Sequence, residues 1–264
     1  MRISILGANG FLGALLVKHL SHNHYVIPVT RDTLDLTDYN QVDEWLGKSA
    51  PDVIVNCAIS GGGRNVNDIN YSDVQRDLAI FMNFYNNSAV KRYINIGSGA
   101  EFDKRTHINH ASEHDILHST PLESYGFIKN IIARMILKRQ NFYTLRLFGC
   151  FDSSEPIIRL FKKFKRDGTI TINNKYFDYI SARDFVTIVE HYCTSTDLYK
   201  DLNCVYPEKL LLSEQLKMFA KHHVPNGIID IKIDPGLNYT GDGSNLIRLK
   251  LPLQGLEYGI KNYE

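Results

Sequence analysis

The chain has 264 residues, 44% of them hydrophobic and 22% charged, and a formal net charge of +1. This composition is typical of a globular protein with a sizeable core, long enough for one large α/β domain with or without a small appendage. A net charge near zero gives no overall attraction to nucleic acid or to an anionic membrane surface, so we expect neither as a partner.

Short apolar runs alternate with longer amphipathic runs through the first half of the chain. The apolar runs predict strands over residues 3–6, 25–29, 53–57, 93–96 and 143–147. The amphipathic runs predict helices over residues 11–20, 39–46, 72–89 and 125–139, the second of them capped by Asp38. This alternation is typical of a doubly wound parallel sheet, whose ligands lie beyond the carboxyl ends of the strands.

The pattern becomes less regular after residue 148. Short strands predicted over 169–173 and 228–233 mix with short helices over 155–165, 182–192 and 213–222. We therefore expect a large domain over residues 1–150, with returning elements around 175–195, and a smaller mixed α/β part over 151–264. Residues 99–124 show no clear periodicity, and a loop of that length in a compact domain is often functional.

A glycine-rich turn joins the first predicted strand to the first predicted helix. Gly7 permits the tight turn, Gly10 lets the backbone approach a pyrophosphate, and Gly13 lets helix and strand pack closely. The N-terminus of the helix, at Phe11 and Leu12, then faces the phosphates. The pattern predicts a dinucleotide site in a Rossmann-type fold, the alternative being an ordinary turn rich in glycine.

The end of the second predicted strand indicates which dinucleotide binds. An acidic residue there would bind the ribose hydroxyls of NAD, but the chain has Arg31, which suits the 2′-phosphate of NADP. Asp32 follows directly, so NAD(H) stays an alternative to the preferred NADP(H). Asp35 and Leu36 are placed to contact the adenine. For Asp35, a role as an ordinary turn residue is an equally good interpretation.

A serine, a tyrosine and a lysine are candidates for acid–base chemistry. Tyr125 and Lys129 are four residues apart on a predicted helix, so the phenol and the ammonium share one face. A positive charge at this spacing would stabilise the phenolate, so we expect Tyr125 to serve as a proton donor and acceptor. Ser98 follows a predicted strand, where its hydroxyl can bond a substrate oxygen; taken alone, it would be a turn residue.

These motifs together resemble the extended short-chain dehydrogenase/reductases, and within them the NAD-dependent epimerase/dehydratase group, which acts on nucleotide sugars. The motifs are Gly7-x-x-Gly10-x-x-Gly13, Asn56-Cys57-Ala58, Ser98 and Tyr125-x-x-x-Lys129, and the resemblance runs to about residue 190. Residues 30–36 and Gly61-Gly62 are similar to GDP-fucose synthase. Asp178-Tyr179-Ile180 with Asp184 is similar to the motif after the group's substrate-binding segment.

The resemblance implies a role for each of these residues. Tyr125 would give a proton to a sugar keto oxygen as hydride arrives from the nicotinamide, Ser98 would hold that oxygen, and Lys129 would bind the nicotinamide ribose. Ala58 would lie against the cofactor. The expected substrate is a nucleotide-diphosphate sugar, bound by residues 98–100 and by the part over 151–264.

The chain departs from the group at positions that support epimerisation or dehydration. GDP-fucose synthase has a cysteine where this chain has Ala100, and no histidine between positions 149 and 175 replaces that enzyme's partner residue. Dehydratases place an Asp-Glu pair where Gly99 and Ala100 stand. Phe177 replaces the arginine that grips the substrate, with Lys175 nearby as a substitute, and Gly149 replaces the usual asparagine.

Other features bear on metals, location and assembly. The four cysteines show no C-x-x-C motif and no metal spacing with histidine, so we expect free thiols and no metal. No apolar stretch approaches the ~20 residues of a membrane span and we expect no signal peptide, which makes a cytoplasmic location the default.

The helices over 72–89 and 125–139 are apolar on more than one face. We expect the second apolar face of these helices to pack against another subunit in a homodimer; the alternative is that the C-terminal part of the same chain packs on it.

The residues favour an NADPH-dependent 4-ketoreductase of a nucleotide-linked deoxysugar, in the synthesis of a glycan or surface-polysaccharide precursor. A nucleotide-sugar epimerase with tightly bound NAD(P) stays open as an alternative. A non-catalytic dinucleotide-sensing protein is the alternative of another class. Loss of Ser98, Tyr125 or Lys129 would have supported it, and all three are present.

Overall fold

The computed structural model describes residues 1–59, 70–152 and 158–263. In chain order its strands are β1 (Arg2–Leu6), β2 (Tyr25–Val29), β3 (Val53–Asn56), β4 (Tyr93–Ser98), β5 (Ile108–Ala111), β6 (Phe142–Leu147), β7 (Cys150–Phe151), β8 (Thr169–Ile172), β9 (Ile180–Ser181), β10 (Asp201–Asn203), β11 (Ile228–Ile231) and β12 (Tyr239–Gly241). Its α-helices are α1 (Phe11–Leu20), α2 (Tyr39–Ser49), α3 (Tyr71–Tyr85), α4 (Ser124–Ile136), α5 (Arg159–Asp167), α6 (Ala182–Thr194), α7 (Leu212–His223), α8 (Ser244–Arg248) and α9 (Leu256–Lys261). Short 3-10 turns span Gly99–Phe102 and Glu113–Leu117.

Six strands form the central sheet, in the spatial order β10-β6-β4-β3-β1-β2. The pairs β1–β2, β1–β3 and β3–β4 run parallel. The chain winds outward from β1 to β2, returns to β3 on the other side of β1, and then winds the opposite way. Ligands of such sheets bind beyond the carboxyl ends of the strands where the winding reverses, here between β1 and β3. The predicted Rossmann-type doubly wound parallel sheet is confirmed.

The described chain forms two compact units. Unit 1 consists of Met1–Asp103, His114–Arg146 and Val189–Leu202, and unit 2 of Lys104–Glu113, Leu147–Ile188 and Asn203–Glu264. The glycine turn, Ser98 and the helix that carries Tyr125 and Lys129 all belong to unit 1. The domain boundary at residue 150 and the assignment of 151–264 to substrate binding stay predictions.

The core of unit 1 is aromatic where α3 meets the sheet. Phe81 and Phe84 of α3 are fully buried against Tyr93 of β4, and Phe81 also meets Phe142 of β6 edge-on. The rings of Tyr93 and Phe142 stack with their centroids 5.0 Å apart. Aromatic side chains bury about 150–250 Å² each, so this cluster contributes much of the free energy that holds α3 on the sheet.

Unit 2 has its own core, beside a two-stranded parallel sheet of β8 and β11. Phe161 and Phe164 of α5 are fully buried, as is Phe219 of α7. The rings of Phe161 and Phe219 lie 5.3 Å apart. Strand β7 pairs with β9 and β5 with β12, so unit 2 has the small, mixed α/β character that the sequence predicts.

Some predicted boundaries are wrong by a few residues. Helix α3 ends at Tyr85 rather than at residue 89, because Asn87 turns the chain by accepting the backbone N–H of Ala89 at 2.9 Å. Helix α4 ends at Ile136 rather than at residue 139. The predicted start of the helix over 155–165 falls among residues 153–157, which lie outside the described ranges, and the described helix α5 runs from Arg159.

The predicted cap of α2 is confirmed, and the structure refines the prediction for the segment over 99–124. Asp38 caps α2, and its carboxylate accepts the N–H groups of Asn40 and Gln41 at 2.9 and 3.1 Å. The segment over 99–124 contains two 3-10 turns and β5 instead of a plain loop. All four cysteines lie in the described ranges and form no disulfide. Within those ranges no three metal-ligating side chains come together, and no helix is long and apolar enough to cross a bilayer.

Candidate functional site

The glycine turn lies between β1 and α1, at the carboxyl edge of the sheet. Gly7 has a φ of +76°, in the left-handed region that glycine adopts without strain. A Cβ on Gly7 would lie 2.8 Å from the backbone of Ala58, and a Cβ on Gly13 would lie 2.2 Å from the carbonyl oxygen of Gly7. Glycine is therefore required for the turn to pack on the end of β3 and for α1 to start this close to β1.

The first residues of α1 follow the turn directly, at the edge of the sheet where we predict the pyrophosphate site. The Gly10 N–H donates to the Gly7 carbonyl at 3.0 Å, and the Ala14 N–H makes the first helical bond, to the Gly10 carbonyl at 2.8 Å. The N–H groups of residues 11–13 come before the first helical bond, so they have no acceptor within α1, and they lie at the positive end of its helix dipole. The first turn has the sequence Phe-Leu-Gly-Ala and carries no charge, so no carboxylate opposes an anion there.

Arg31 and Asp32 follow β2 and are both exposed. Two threonines close the turn that presents them. The Thr30 N–H donates to Thr33 Oγ1 at 2.9 Å, and that hydroxyl donates back to the Thr30 carbonyl at 3.0 Å. The turn thus presents Arg31 and Asp32 in succession, just past the tip of β2.

Asp35 and Leu36 continue this segment. The Asp35 carboxylate accepts the hydroxyl of Thr37 at 2.7 Å and its N–H at 2.9 Å. These bonds hold the pKa of Asp35 below its ordinary value. Leu36 is half-buried and packs on the core of unit 1. Asp35 therefore acts as a turn residue in this structure, and contact of either residue with adenine stays a prediction.

The end of β3 is fastened to β4. The Asn56 amide donates to Asn95 Oδ1 at 3.1 Å, and Asn56 Oδ1 accepts the Ala58 N–H at 3.1 Å. These bonds hold Ala58 beside the glycine turn. Burial raises the pKa of Cys57 to about 12, so the thiol is neutral near pH 7. The glycine pair at positions 61 and 62 lies outside the described residues.

Ser98 is the last residue of β4 and is buried. Its hydroxyl accepts the Ala100 N–H at 3.2 Å, and its own N–H donates to Glu101 Oε1 at 2.8 Å. The two bonds form a capping box at the start of the 3-10 turn Gly99–Phe102. A hydroxyl that accepts one bond still carries its own hydrogen, which can be donated to a ligand.

Helix α4 brings the tyrosine and the lysine to the same place. Tyr125 lies in its first turn and is half-buried, and Lys129 lies one turn later and is buried. Lys129 Nζ donates to the carbonyl oxygen of Ile96 at 2.6 Å, two residues before Ser98. A Cβ on Gly126 would lie 2.5 Å from the Ala100 carbonyl oxygen, so α4 packs directly on the 3-10 turn. The structure thus brings all three candidate catalytic residues to the end of β4.

A buried charge cluster next to Ser98 was missed by the sequence reasoning. Arg146 Nε donates to Glu101 Oε2 and Arg146 Nη2 donates to Asp201 Oδ2, both at 2.7 Å. Burial raises the pKa of both carboxyls, although Arg146 between them opposes the rise. Burial also lowers the pKa of Arg146, but less than the two carboxylates raise it. The spacing Ser98-x-x-Glu101 is a capping-box pattern, from which the sequence could have identified Glu101. No local sequence pattern connects Glu101 to Arg146 or to Asp201.

The remaining candidate, Lys175, lies in unit 2. It is half-buried, and its Nζ lies 5.6 Å from the ring centroid of Phe177; burial lowers the pKa of this lysine. The Phe177 ring stacks on Tyr239 at 5.2 Å. A Cβ on Gly149 would lie 2.7 Å from the Tyr179 ring, so aromatic rings fill the space that an asparagine at position 149 would need.

Solved structures share this fold over nearly the whole chain, whereas no curated protein matches the sequence closely enough to count as a relative. A GDP-mannoheptose C4 reductase from Campylobacter jejuni with NADP bound is 20% identical, with a TM-score of 0.80 over 98% of this chain and 96% of that one. A GDP-L-fucose synthetase from Naegleria fowleri bound to NADP is 13% identical, with a TM-score of 0.76 over 98% and 90%. The UDP-glucose 4-epimerase of Thermotoga maritima with UDP-glucose is 16% identical, with a TM-score of 0.76 over 99% and 96%. At these identities the likeness shows the fold.

The sequence itself matches a family model over most of its length. The model of the NAD dependent epimerase/dehydratase family matches residues 3–204. That range contains the glycine turn, Ser98 and the whole of α4, which are the features that carry the resemblance seen in the sequence. The chain therefore belongs to the NAD dependent epimerase/dehydratase family.

Proposed function

We propose that this protein uses NADPH to reduce the 4-keto group of a nucleotide-linked deoxysugar, in the synthesis of a glycan or surface-polysaccharide precursor. The observation that carries the proposal is the arrangement at the end of β4. Lys129 Nζ lies 2.6 Å from the carbonyl oxygen of Ile96, Tyr125 lies one turn earlier on the same helix, and Ser98 ends the strand. The end of one strand and the first two turns of one helix thus carry a candidate proton donor, a hydrogen-bond donor and a cation.

Each of these groups has a defined task at the keto oxygen. NADPH, when bound, supplies the hydride that reduces the keto carbon. Ser98 donates its hydroxyl hydrogen to the oxygen as negative charge develops there, held in place by the Ala100 N–H at 3.2 Å. Tyr125 then transfers its phenolic proton to that oxygen, and the Lys129 ammonium stabilises the phenolate that remains.

The cofactor would be held by the residues at the carboxyl edge of unit 1. We assign the pyrophosphate to the glycine turn and the N–H groups of residues 11–13, the 2′-phosphate to Arg31, and the nicotinamide ribose to Lys129. Ala58, Asp35 and Leu36 complete the proposed site. Two of the structural neighbours were solved with NADP, which supports NADP(H). NAD(H) stays the alternative, because Asp32 stands beside Arg31.

The candidate substrate-binding residues favour reduction over dehydration, and over epimerisation at a carbon beside the keto group. Gly99 and Ala100 follow Ser98 and carry no acid or base, so no second proton donor stands at these two positions. In unit 2, Lys175 is our candidate for the diphosphate of a nucleotide-diphosphate sugar, since its Nζ lies 5.6 Å from the ring centroid of Phe177, which replaces the family arginine. We further propose that the enzyme is a homodimer.

Turnover tests this proposal directly. We expect purified protein to oxidise NADPH when a dTDP-linked or a GDP-linked 4-keto-6-deoxyhexose is added, and NMR of the product to show a new hydroxyl at C4. The measurement is the loss of NADPH absorbance, with Tyr125→Phe as the inactive control. Protein that binds NADPH but leaves both sugars unreduced would contradict the proposal.

A nucleotide-sugar epimerase is the second candidate, because epimerisation at C4 needs only the serine, tyrosine and lysine. The likeness to a UDP-glucose 4-epimerase is compatible with it. Cofactor that copurifies with the protein, together with catalysis in the absence of added NADPH, would favour this candidate over the reductase.

Arg31→Glu is expected to weaken NADPH binding by about 10–100-fold, because a charge-assisted bond contributes about 1.5–3 kcal/mol. NADH affinity should change by less than about threefold, since NADH lacks the 2′-phosphate. Isothermal titration of both cofactors measures the difference. Lys18→Glu makes the same change in net charge at the far end of α1, where Lys18 is exposed, and should leave both affinities unchanged. Equal losses for NADPH and NADH in Arg31→Glu would overturn the 2′-phosphate assignment.

A further inference from the structure

We propose that Glu101 is a positioning residue for Ser98 and that Arg146 anchors it in that task. The inference rests on the proposed function in one respect, the role of the Ser98 hydroxyl in turnover. Glu101 itself does not touch the reacting atoms. It acts on the backbone of the residue that does.

Glu101 connects three elements of unit 1. Its Oε1 accepts the Ser98 N–H at 2.8 Å, and its Oε2 accepts Arg146 Nε of β6 at 2.7 Å. Its main-chain carbonyl accepts the Asn130 amide of α4 at 2.9 Å. Asn130 directly follows Lys129, so Glu101 links the strand end that carries Ser98 to the helix that carries Tyr125 and Lys129.

The fold makes room for this carboxylate at the end of β4. A Cβ on Gly97 would lie 2.6 Å from Glu101 Oε1, so the glycine before Ser98 provides the space in which the carboxylate lies. Glu101 and Arg146 are both 0% exposed. A buried carboxylate is costly unless it is paired, and Arg146 supplies that pairing at the oxygen that Ser98 does not use.

The bonds around Ser98 fix its hydroxyl in two steps. Glu101 holds the peptide N–H of Ser98, and the Ala100 N–H then holds the hydroxyl oxygen at 3.2 Å. Productive geometry in an active site tolerates about 0.5 Å of displacement, and a misplacement of about 1 Å can cost about 10²-fold in rate. Loss of the Glu101 carboxylate should therefore impair turnover without touching the glycine turn.

Glu101→Gln is the variant that tests this inference. A glutamine keeps the size of the side chain but has one acceptor oxygen where glutamate has two, so it can no longer accept both the Ser98 N–H and Arg146 Nε. We expect kcat to fall by about 10–100-fold while KM for NADPH stays within about twofold. Asp201→Asn is the matched control. It removes the other buried carboxylate of Arg146, at the same 2.7 Å distance, but leaves the Ser98–Glu101–Arg146 chain intact, so its kcat should fall by less than about threefold.

A double-mutant cycle separates positioning from a general structural role. If Glu101 works through Ser98, Glu101→Gln should lower kcat little further in a Ser98→Ala background. Additive losses, or equal losses in Glu101→Gln and Asp201→Asn, would overturn the inference. A Ser98→Ala protein with wild-type kcat would instead count against the proposed function, which keeps the two failures distinct.

A second variant and a structural readout cover the case in which Glu101→Gln does not fold. Gly97→Ala keeps every charge but takes the space of Glu101 Oε1, so it should reproduce the kcat loss. Hydrogen–deuterium exchange of wild-type protein should show the Ser98 N–H protected like the core of β4. Exchange of that N–H at the rate of an exposed loop would overturn the inference whether or not the sugars are reduced.

Discussion

Tyr125→Phe should lower kcat by about 10²–10⁴-fold, the usual contribution of a positioned general acid. The phenylalanine keeps the ring in the first turn of α4 but removes the proton that would be transferred to the keto oxygen. NADPH affinity should stay within about twofold of wild type, because Gly7, Arg31 and Lys129 are unchanged. Steady-state turnover of a nucleotide-linked 4-keto-6-deoxyhexose and fluorescence titration of NADPH measure the two effects.

Tyr85→Phe is the matched control for this prediction. Tyr85 ends α3, and its hydroxyl donates to the Met135 carbonyl in the last turn of α4 at 3.4 Å. The substitution therefore removes a phenolic hydroxyl that is bonded to the same helix but lies at its other end. Its kcat should match that of the wild type. Wild-type turnover in Tyr125→Phe would reject the proton-donor role, whatever the control showed.

Gly13→Ala should impair both stability and cofactor binding. The new Cβ would lie 2.2 Å from the Gly7 carbonyl oxygen and 2.9 Å from Ala8 Cα, and both are backbone atoms that cannot move aside alone. Overpacking of this kind costs about 1–3 kcal/mol, which lowers Tm by about 2–4 °C per kcal/mol in a domain of this size. Because α1 must shift away from the turn, NADPH should bind at least about tenfold more weakly.

Gly47→Ala makes the same chemical change where there is room. Gly47 lies inside α2, and a Cβ there would meet nothing within 4 Å. Alanine is favoured over glycine in a helix by about 1 kcal/mol, so Tm should rise slightly and NADPH affinity should not change. Thermal melts and NADPH titrations of the two variants decide the matter. A Gly13→Ala protein that melts and binds like Gly47→Ala would show that the close approach of α1 to β1 is unimportant.

The sequence predicted five of the six strands of the central sheet, all but β10, because the signals of those five strands are local. Buried parallel strands appear as short apolar runs, and the helices that cover them repeat their apolar residues at helical spacing. The turn from Gly7 to Gly13 has backbone requirements that only glycine meets, so its role shows in the residues themselves. The ends of α3 and α4 were less certain, because a capping residue such as Asn87 competes with helical residues that continue past it.

The buried cluster next to Ser98 shows the opposite case. Glu101, Arg146 and Asp201 are separated by 45 and 55 residues along the chain, and no local pattern connects them. Their contact depends on the order of β4, β6 and β10 in the sheet. Sequence reasoning therefore noted the departure of Ala100 from the family and overlooked Glu101, one residue further on.

Sequence alone thus determined the fold class, the family and the three candidate catalytic residues, because each depends on spacing within one turn, strand or helix. Tertiary structure decided how those residues are held. It showed the Lys129 ammonium on the Ile96 carbonyl at 2.6 Å and the Ser98 N–H on Glu101 at 2.8 Å. Such contacts join residues from different elements, and only the packing of α4 and the neighbouring strands brings those atoms within bonding distance.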